Sequence, residues 1–131
     1  MLRYSIVLLS ILFLLLYSGQ AMSQDGVIGT WTVEGNGLHR SATFNEDGEG
    51  AFVMGDNFYP ITTFQVVQSS IENQYLISFS VQDETNLETE MYAVIKIENS
   101  ISAQMQTFYS KSEMLEYTDT ALTDAVTVSK D

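Results

Sequence analysis

From residue 28 onward, apolar and polar side chains alternate with a period of two, the pattern of strands that bury one face. Trp31 and Val33 alternate with Thr30 and Thr32, and Ala42 and Phe44 share a face opposite Ser41 and Thr43. The run Asn45-Glu46-Asp47-Gly48-Glu49-Gly50 then supplies turn residues, with Gly48 or Gly50 placed to adopt the positive φ of a hairpin or its bulge. A third strand is predicted over residues 51–54. A loop through Gly55, Asp56 and Asn57 reaches Pro60, and residues 61–68, rich in β-branched side chains, read as a fourth strand. Tyr75, Ile77, Phe79 and Val81 alternate with Ser78 and Ser80 in a fifth. Met91, Ala93, Ile95 and Ile97 oppose Tyr92, Lys96 and Glu98 in a sixth, expected to be the longest. After a turn at Glu98-Asn99-Ser100, residues 101–109 form a seventh, with Ala103 and Met105 opposite Gln104 and Gln106.

The last 20 or so residues carry a mixed pattern. Val126 and Val128 alternate with Thr127 and Ser129, which predicts a closing strand over residues 125–130. Residues 112–122 fit a short helix capped by Ser112, with Met114, Leu115 and Tyr117 on one side, but a strand over residues 114–117 followed by a loop is the preferred reading. Connections throughout are too short for βαβ crossovers, so neighbouring strands are antiparallel. Seven or eight such strands remove their exposed edges by closing, and the expected fold is an all-β, up-and-down antiparallel barrel of about eight strands.

The first residues follow a different rule. Met1 to Tyr4 carry one positive charge, Arg3, and residues 6–16 are apolar except for Ser10. That run is shorter than the roughly 20 residues of a membrane span and matches the core of a signal peptide. Ala21-Met22-Ser23 puts small residues at the −3 and −1 positions of a cleavage site, with Gly19-Gln20-Ala21 as a second candidate. The expectation is a signal peptide over residues 1–23 and a single mature domain over 24–131, secreted or periplasmic, with no stable membrane insertion after cleavage. An uncleaved N-terminal anchor is the alternative. The chain lacks cysteine, so it cannot be anchored as a cysteine-lipidated lipoprotein and must be held by its core without disulfides.

Charge narrows the partners. Beyond Ser23 stand all 17 acidic residues against four Lys and Arg, a balance of −13. Such a field repels phosphate backbones and anionic membranes, which argues against nucleic acid as a partner. Pro60 is the sole proline and no Gly/Ser-rich stretch interrupts the chain, so one domain is expected.

Gly29-Thr30-Trp31, followed by Thr43-Phe44-Asn45-Glu46-Asp47-Gly48-Glu49-Gly50, resembles the opening of small bacterial secreted lipocalin-like (calycin) domains, in which a Gly-x-Trp strand precedes a Phe-x-x-Asp-Gly-x-Gly hairpin. The resemblance covers about the first third of the mature chain; beyond it the agreement is in strand rhythm. It implies structural roles for Gly29 and Trp31, with Trp31 at the closed end of the barrel beneath a basic side chain from near the last strand. Lys130 or Lys111 stands where that cation belongs, although the family more usually has arginine there. The plainer alternative is that Trp31 is a large core residue.

Catalytic constellations are sparse. A nucleophile needs a base held by a third group, and His39 is the only histidine. It sits in Asn36-Gly37-Leu38-His39-Arg40, as either a barrel-rim residue or an exposed turn residue. Without cysteine, a zinc site would rest on carboxylates. Asn45, Asp47 and Glu49 alternate around Gly48, but with Thr43 as position 1 the bidentate Glu of an EF-hand falls on Met54. Asp83, Glu84, Glu88 and Glu90 read as a solvated acidic loop. Nothing fixes the carboxylate separation that glycoside hydrolysis requires. The expectation is a non-enzymatic protein with no metal and no cofactor.

A binding role is left, in two forms. In one, the barrel holds a small apolar ligand against inward residues such as Phe44, Phe64, Phe79, Met91 and Met105. In the other the core is solid, as eight-stranded barrels of this size permit, and the surface engages an envelope protein or a secreted enzyme as an interaction or inhibitor module. Phe58 and Tyr59, beside Pro60, suit an interface anchor or a plug for the barrel end. An inner cavity larger than a few water molecules discriminates between the two forms.

Overall fold

The structure, a computed structural model, describes residues 26–33 and 39–130. The expected signal peptide, its cleavage sites and the mature start at Gln24 lie outside the described residues. The chain forms β1 (Gly29–Val33), β2 (Arg40–Phe44), β3 (Gly50–Met54), β4 (Asn57–Gln68), β5 (Gln74–Gln82), β6 (Glu88–Ile97), β7 (Ser102–Phe108), a short helix α1 (Lys111–Leu115) continued by a 3₁₀ turn (Glu116–Thr118), and β8 (Val126–Lys130). Each strand pairs antiparallel with the next, and β8 returns to β1 through Trp31↔Lys130 and Val33↔Val128, which closes an eight-stranded barrel. The up-and-down barrel predicted from the alternation is the observed fold.

Inward positions fill the interior. Phe44 stacks edge-to-face on Phe64 and Phe79, with ring centroids 5.0 and 5.9 Å apart, and Ile61, Ile77, Ala93, Ile95 and Ala103 complete the packing around them. The β2–β3 hairpin assigns the two glycines different tasks. Gly48 takes the positive φ of 86°. Gly50 is needed for close approach, since a Cβ there would fall 1.8 Å from the Thr43 carbonyl oxygen.

Three expectations are corrected. The loop expected through Pro60 is strand: β4 begins at Asn57, so Phe58 and Tyr59 are strand residues, Phe58 exposed and Tyr59 half-buried. Proline is tolerated there because β5 pairs with β4 only from Ile61 onward, which leaves residues 57–60 bonded to β3 alone and in need of no second ladder. This extension makes β4, at 12 residues, longer than the 10-residue β6. A register shift between Ile61 and Thr63 lets Ile61 and Phe64 both face inward although three residues apart. The third correction concerns residues 114–117, which are helical, with Ser110 rather than Ser112 as N-cap: its hydroxyl accepts from the Glu113 amide at 3.3 Å.

The helix has a reason in packing. Leu76, Tyr92, Val94 and Phe108 form an apolar patch on the outer barrel face, and Met114, with Tyr117 and Leu122 beside it, covers that patch. The covering strap is tied down at Gln74. That side chain is fully buried, and its Nε2 donates to the carbonyls of Tyr117 (2.9 Å) and Thr120 (2.8 Å) while its Oε1 accepts from the Leu122 amide (2.9 Å). Ser69 Oγ adds donations toward Tyr117 and Thr118.

Candidate binding cavity

Gly29, Trp31 and Lys130 form one unit at the barrel's closing seam. Trp31 is buried, and its Nε1 donates to the Val27 carbonyl at 2.9 Å, so the indole's single polar group is satisfied. Lys130 is the Cα partner of Trp31 across the β1–β8 seam and sets its ammonium 5.4 Å from the indole centroid. Lys111, the other candidate for that place, opens α1 instead. Gly29 makes the arrangement fit: it has φ +132°, and a Cβ there would lie 2.5 Å from Lys130 Cε. The Gly-x-Trp spacing thus places an absent side chain and a large ring on one face, two residues apart, under a single lysine.

On the other side of Trp31 lies a half-open cavity of about 430 Å³. Its buried and half-buried lining is Trp31, Val33, Ser41, Ala42, Phe52, Met91, Met105, Gln106 and Val128, and its exposed mouth carries Arg40, Met54, Thr107, Tyr109, Asp124 and Val126. The strand registers account for its position. β7 pairs with β6 as far as Tyr92↔Phe108, but β8 reaches β7 only up to Met105↔Val126. Among the described residues, β7 beyond Met105 has no neighbour on its β8 side, and the lining residues gather at that break in the wall.

Of the five residues expected to meet a ligand, Met91 and Met105 line the cavity. Phe44, Phe64 and Phe79 lie in the packed cluster away from its wall. The barrel is therefore solid where the phenylalanines meet and hollow where methionines and Phe52 face Trp31. Sequence reasoning missed Phe52, whose inward position followed from its pairing with Ala42, and the polar residues of the mouth.

Elsewhere the polar groups serve local structure. Asp83 Oδ1 accepts from Thr85 Oγ1 (2.6 Å) and from the amides of Thr85 (2.8 Å) and Leu87 (3.0 Å). The Thr85 hydroxyl, followed by the Leu87 amide, holds the Asp83 carboxyl below its ordinary pKa. Tyr92 OH donates to Glu90 at 2.7 Å, and that bond, with burial, raises the phenol's pKa. His39 is exposed at the start of β2. Among the described residues no three His, Asp or Glu side chains converge as metal ligands, and no helix is long and apolar enough to cross a membrane.

No family model and no curated protein matches the sequence. Among solved structures, the chain is similar to the crystal structure of Treponema pallidum Tp0751 (pallilysin), with a TM-score of 0.50 and 12% identity over 94% of this chain and 96% of that one. At that identity the likeness is one of fold, an eight-stranded antiparallel barrel compatible with the lipocalin-like type.

Proposed function

We propose that this chain is an exported, non-enzymatic binding module of the lipocalin-like type, and that it holds a small apolar ligand in the cavity beside Trp31. The observation that carries this reading is the cavity itself. At about 430 Å³ it falls within the range of small-molecule sites, roughly 300–1000 Å³, and its buried lining is mostly apolar, with Ser41 and Gln106 the polar residues there and more polar groups at the mouth. Met91 and Met105 suit such a wall because unbranched thioethers adapt to irregular apolar shapes. Export is read from the leader and the Ala21-Met22-Ser23 cleavage signal. The absence of an enzymatic role is read from the single histidine and the lack of any cysteine.

Native mass spectrometry of the protein purified from its own host, before and after delipidation, tests the carrier reading. A copurifying apolar molecule is the expected result. Intact mass from the exported fraction is expected to begin at Gln24, and a membrane-held species keeping residues 1–23 would overturn the export reading. Turnover of a substrate abolished by one carboxylate change, such as Glu90→Gln, would overturn the non-enzymatic one.

One observation favours the second reading, an interaction or inhibitor module acting on an envelope protein. Phe58 is 63% exposed and Tyr109 is 94% exposed, and exposed aromatic side chains are the common anchors of interfaces. Ligand-free protein that captures a defined envelope partner, with capture lost in Phe58→Ser, would decide for it.

A further inference from the structure

An up-and-down barrel brings the ends of its odd strands and the starts of its even strands to one rim. Here that rim surrounds the cavity mouth: β3 ends at Met54, β4 starts at Asn57, β7 ends at Phe108 and β8 starts at Val126. Five of the eight large apolar side chains left exposed among the described residues stand at it: Met54, Phe58, Leu87, Tyr109 and Val126. Met54, Tyr109 and Val126 line the mouth, Phe58 pairs with Val53 beside Met54, and Leu87 lies in the β5–β6 turn. The other three are apart from one another: Val67 is near the far end of β4, Ile101 is in the β6–β7 turn, and Leu115 closes α1. Carboxylates are interleaved with the rim's apolar residues. Asp56 lies between Met54 and Phe58 in sequence, Glu84 and Glu88 flank Leu87, Asp124 precedes Val126, and all four are exposed. With Asp83 and Glu90, this end holds six carboxylates against two fixed cations, Arg40 and Lys111.

We propose that this rim is a docking surface for a cationic, amphipathic segment of a partner protein. The segment's apolar face seats on Phe58, Leu87 and Tyr109, and its Lys or Arg side chains meet Asp56, Glu84 and Asp124. This rests on the interaction-module reading above and specifies the partner's chemistry. Apolar and aromatic anchors supply most of an interface's affinity, while complementary charge around them selects the partner and speeds its approach. The same charges disfavour the other occupants of an apolar rim. A second copy docked mouth to mouth would set six carboxylates against six, and like charges across an interface are repulsive. An anionic lipid surface would meet both those carboxylates and the formal charge of −12 on the chain. A basic amphipathic helix satisfies both halves of the pattern, with its apolar stripe on the anchors and its charged face among the acids.

The test uses the protein purified from its own host and three probes: a Leu/Lys amphipathic helical peptide, its Leu/Glu counterpart, and an oligolysine that carries charge without an apolar face. Calorimetry is expected to show the Leu/Lys peptide binding at least about tenfold tighter than either of the others. The Phe58→Ser/Leu87→Ser variant should lose about tenfold or more, as should Asp56→Asn/Glu84→Gln/Asp124→Asn, and in the second the loss of affinity on adding salt should shrink. Matched changes away from the rim, Val67→Ser/Ile101→Ser and Glu46→Gln/Glu49→Gln/Glu72→Gln, should stay within about twofold of wild type. Equal losses in the rim and the matched variants would make the attraction a property of the whole acidic chain and overturn the proposal. A Leu/Glu peptide that binds as tightly, with its affinity lost in Phe58→Ser/Leu87→Ser, leaves the interaction reading standing and overturns the charge assignment. That peptide comparison is made on the wild type, so it holds whether or not the variants fold. Binding of zwitterionic vesicles through the same anchors, or a dimer that Phe58→Ser/Leu87→Ser dissolves, gives the rim to another occupant and overturns the proposal. If no peptide binds, the proposal and the interaction reading fall together.

Discussion

Gly29 and Lys130 occupy one space: the lysine side chain runs where a Cβ on residue 29 would stand, 2.5 Å from Cε. The contact has two components of different kind. Lys130 is flexible and can shift, but the φ of +132° at Gly29 is strained for any L side chain. Gly29→Ala is therefore expected to cost about 1–3 kcal/mol in denaturant titration. The Lys130→Ala background should relieve only the steric share, so a double variant that recovers full stability would show the backbone strain to be negligible.

Trp31 is the larger stake. Its ring is buried at the seam and its N–H is satisfied internally, so Trp31→Ala is expected to cost about 3–5 kcal/mol, enough to threaten a domain with no disulfide. Lys130→Met, which keeps the aliphatic stem and removes the charge over the indole, should cost about 0.5–2 kcal/mol. Chemical denaturation of both variants checks the ratio, and a Trp31→Ala loss below about 1 kcal/mol would contradict its place in the core.

Gln74→Ala removes three close bonds at once and leaves the Tyr117 and Thr120 carbonyls and the Leu122 amide without their partner. A loss of about 2–4 kcal/mol is expected, since each orphaned buried group costs about 1–3 kcal/mol and water reaches some of them. Hydrogen exchange should speed up in residues 111–125 ahead of the barrel strands. Uniform acceleration across the barrel would mean that the strap and the barrel open as one unit.

Two groups link stability to pH. Asp83 titrates below its ordinary value in the fold because Thr85 and Leu87 bond its charged form, so its contribution is present above the unfolded pKa and is lost as pH falls through the folded one. Tyr92 titrates above its ordinary value because it donates to Glu90 and is partly desolvated, so its contribution is present below the unfolded pKa of about 10 and is lost as pH rises through the folded one. The gap in thermal midpoint between wild type and Asp83→Ala should narrow below about pH 4, and that between wild type and Tyr92→Phe above about pH 10. A gap that stays constant with pH would disprove the linkage for that residue.

The barrel was legible because alternation survives in every strand: Trp31 and Val33, Ala42 and Phe44, Ile77 and Phe79 each mark an inner face that the pairing confirms. The strap was read less well, and the reason is physical. Met114 and Tyr117 bury against an outer face, so their three-residue spacing answers to a patch that exists only after β5, β6 and β7 have assembled. A sign of that patch stood in the run Tyr92-Ala93-Val94-Ile95, which is apolar on both faces and so demands cover on both. The cavity was half legible. Inward residues follow from alternation, but which of them meet each other depends on how far each strand extends past its neighbour, and the early end of the β7–β8 ladder has no mark in composition.

Closing the barrel joins Trp31 to Lys130, about 100 residues further along the chain, whereas every other strand pair is between sequence neighbours. Bringing ends so distant together carries the largest loop-closure entropy of any strand pair here, which makes the seam the natural late step of folding. Trp31 is the only tryptophan and sits on that seam. Its emission in a refolding experiment therefore times the last event, the sealing of the cylinder, separately from the earlier growth of sheet that circular dichroism follows.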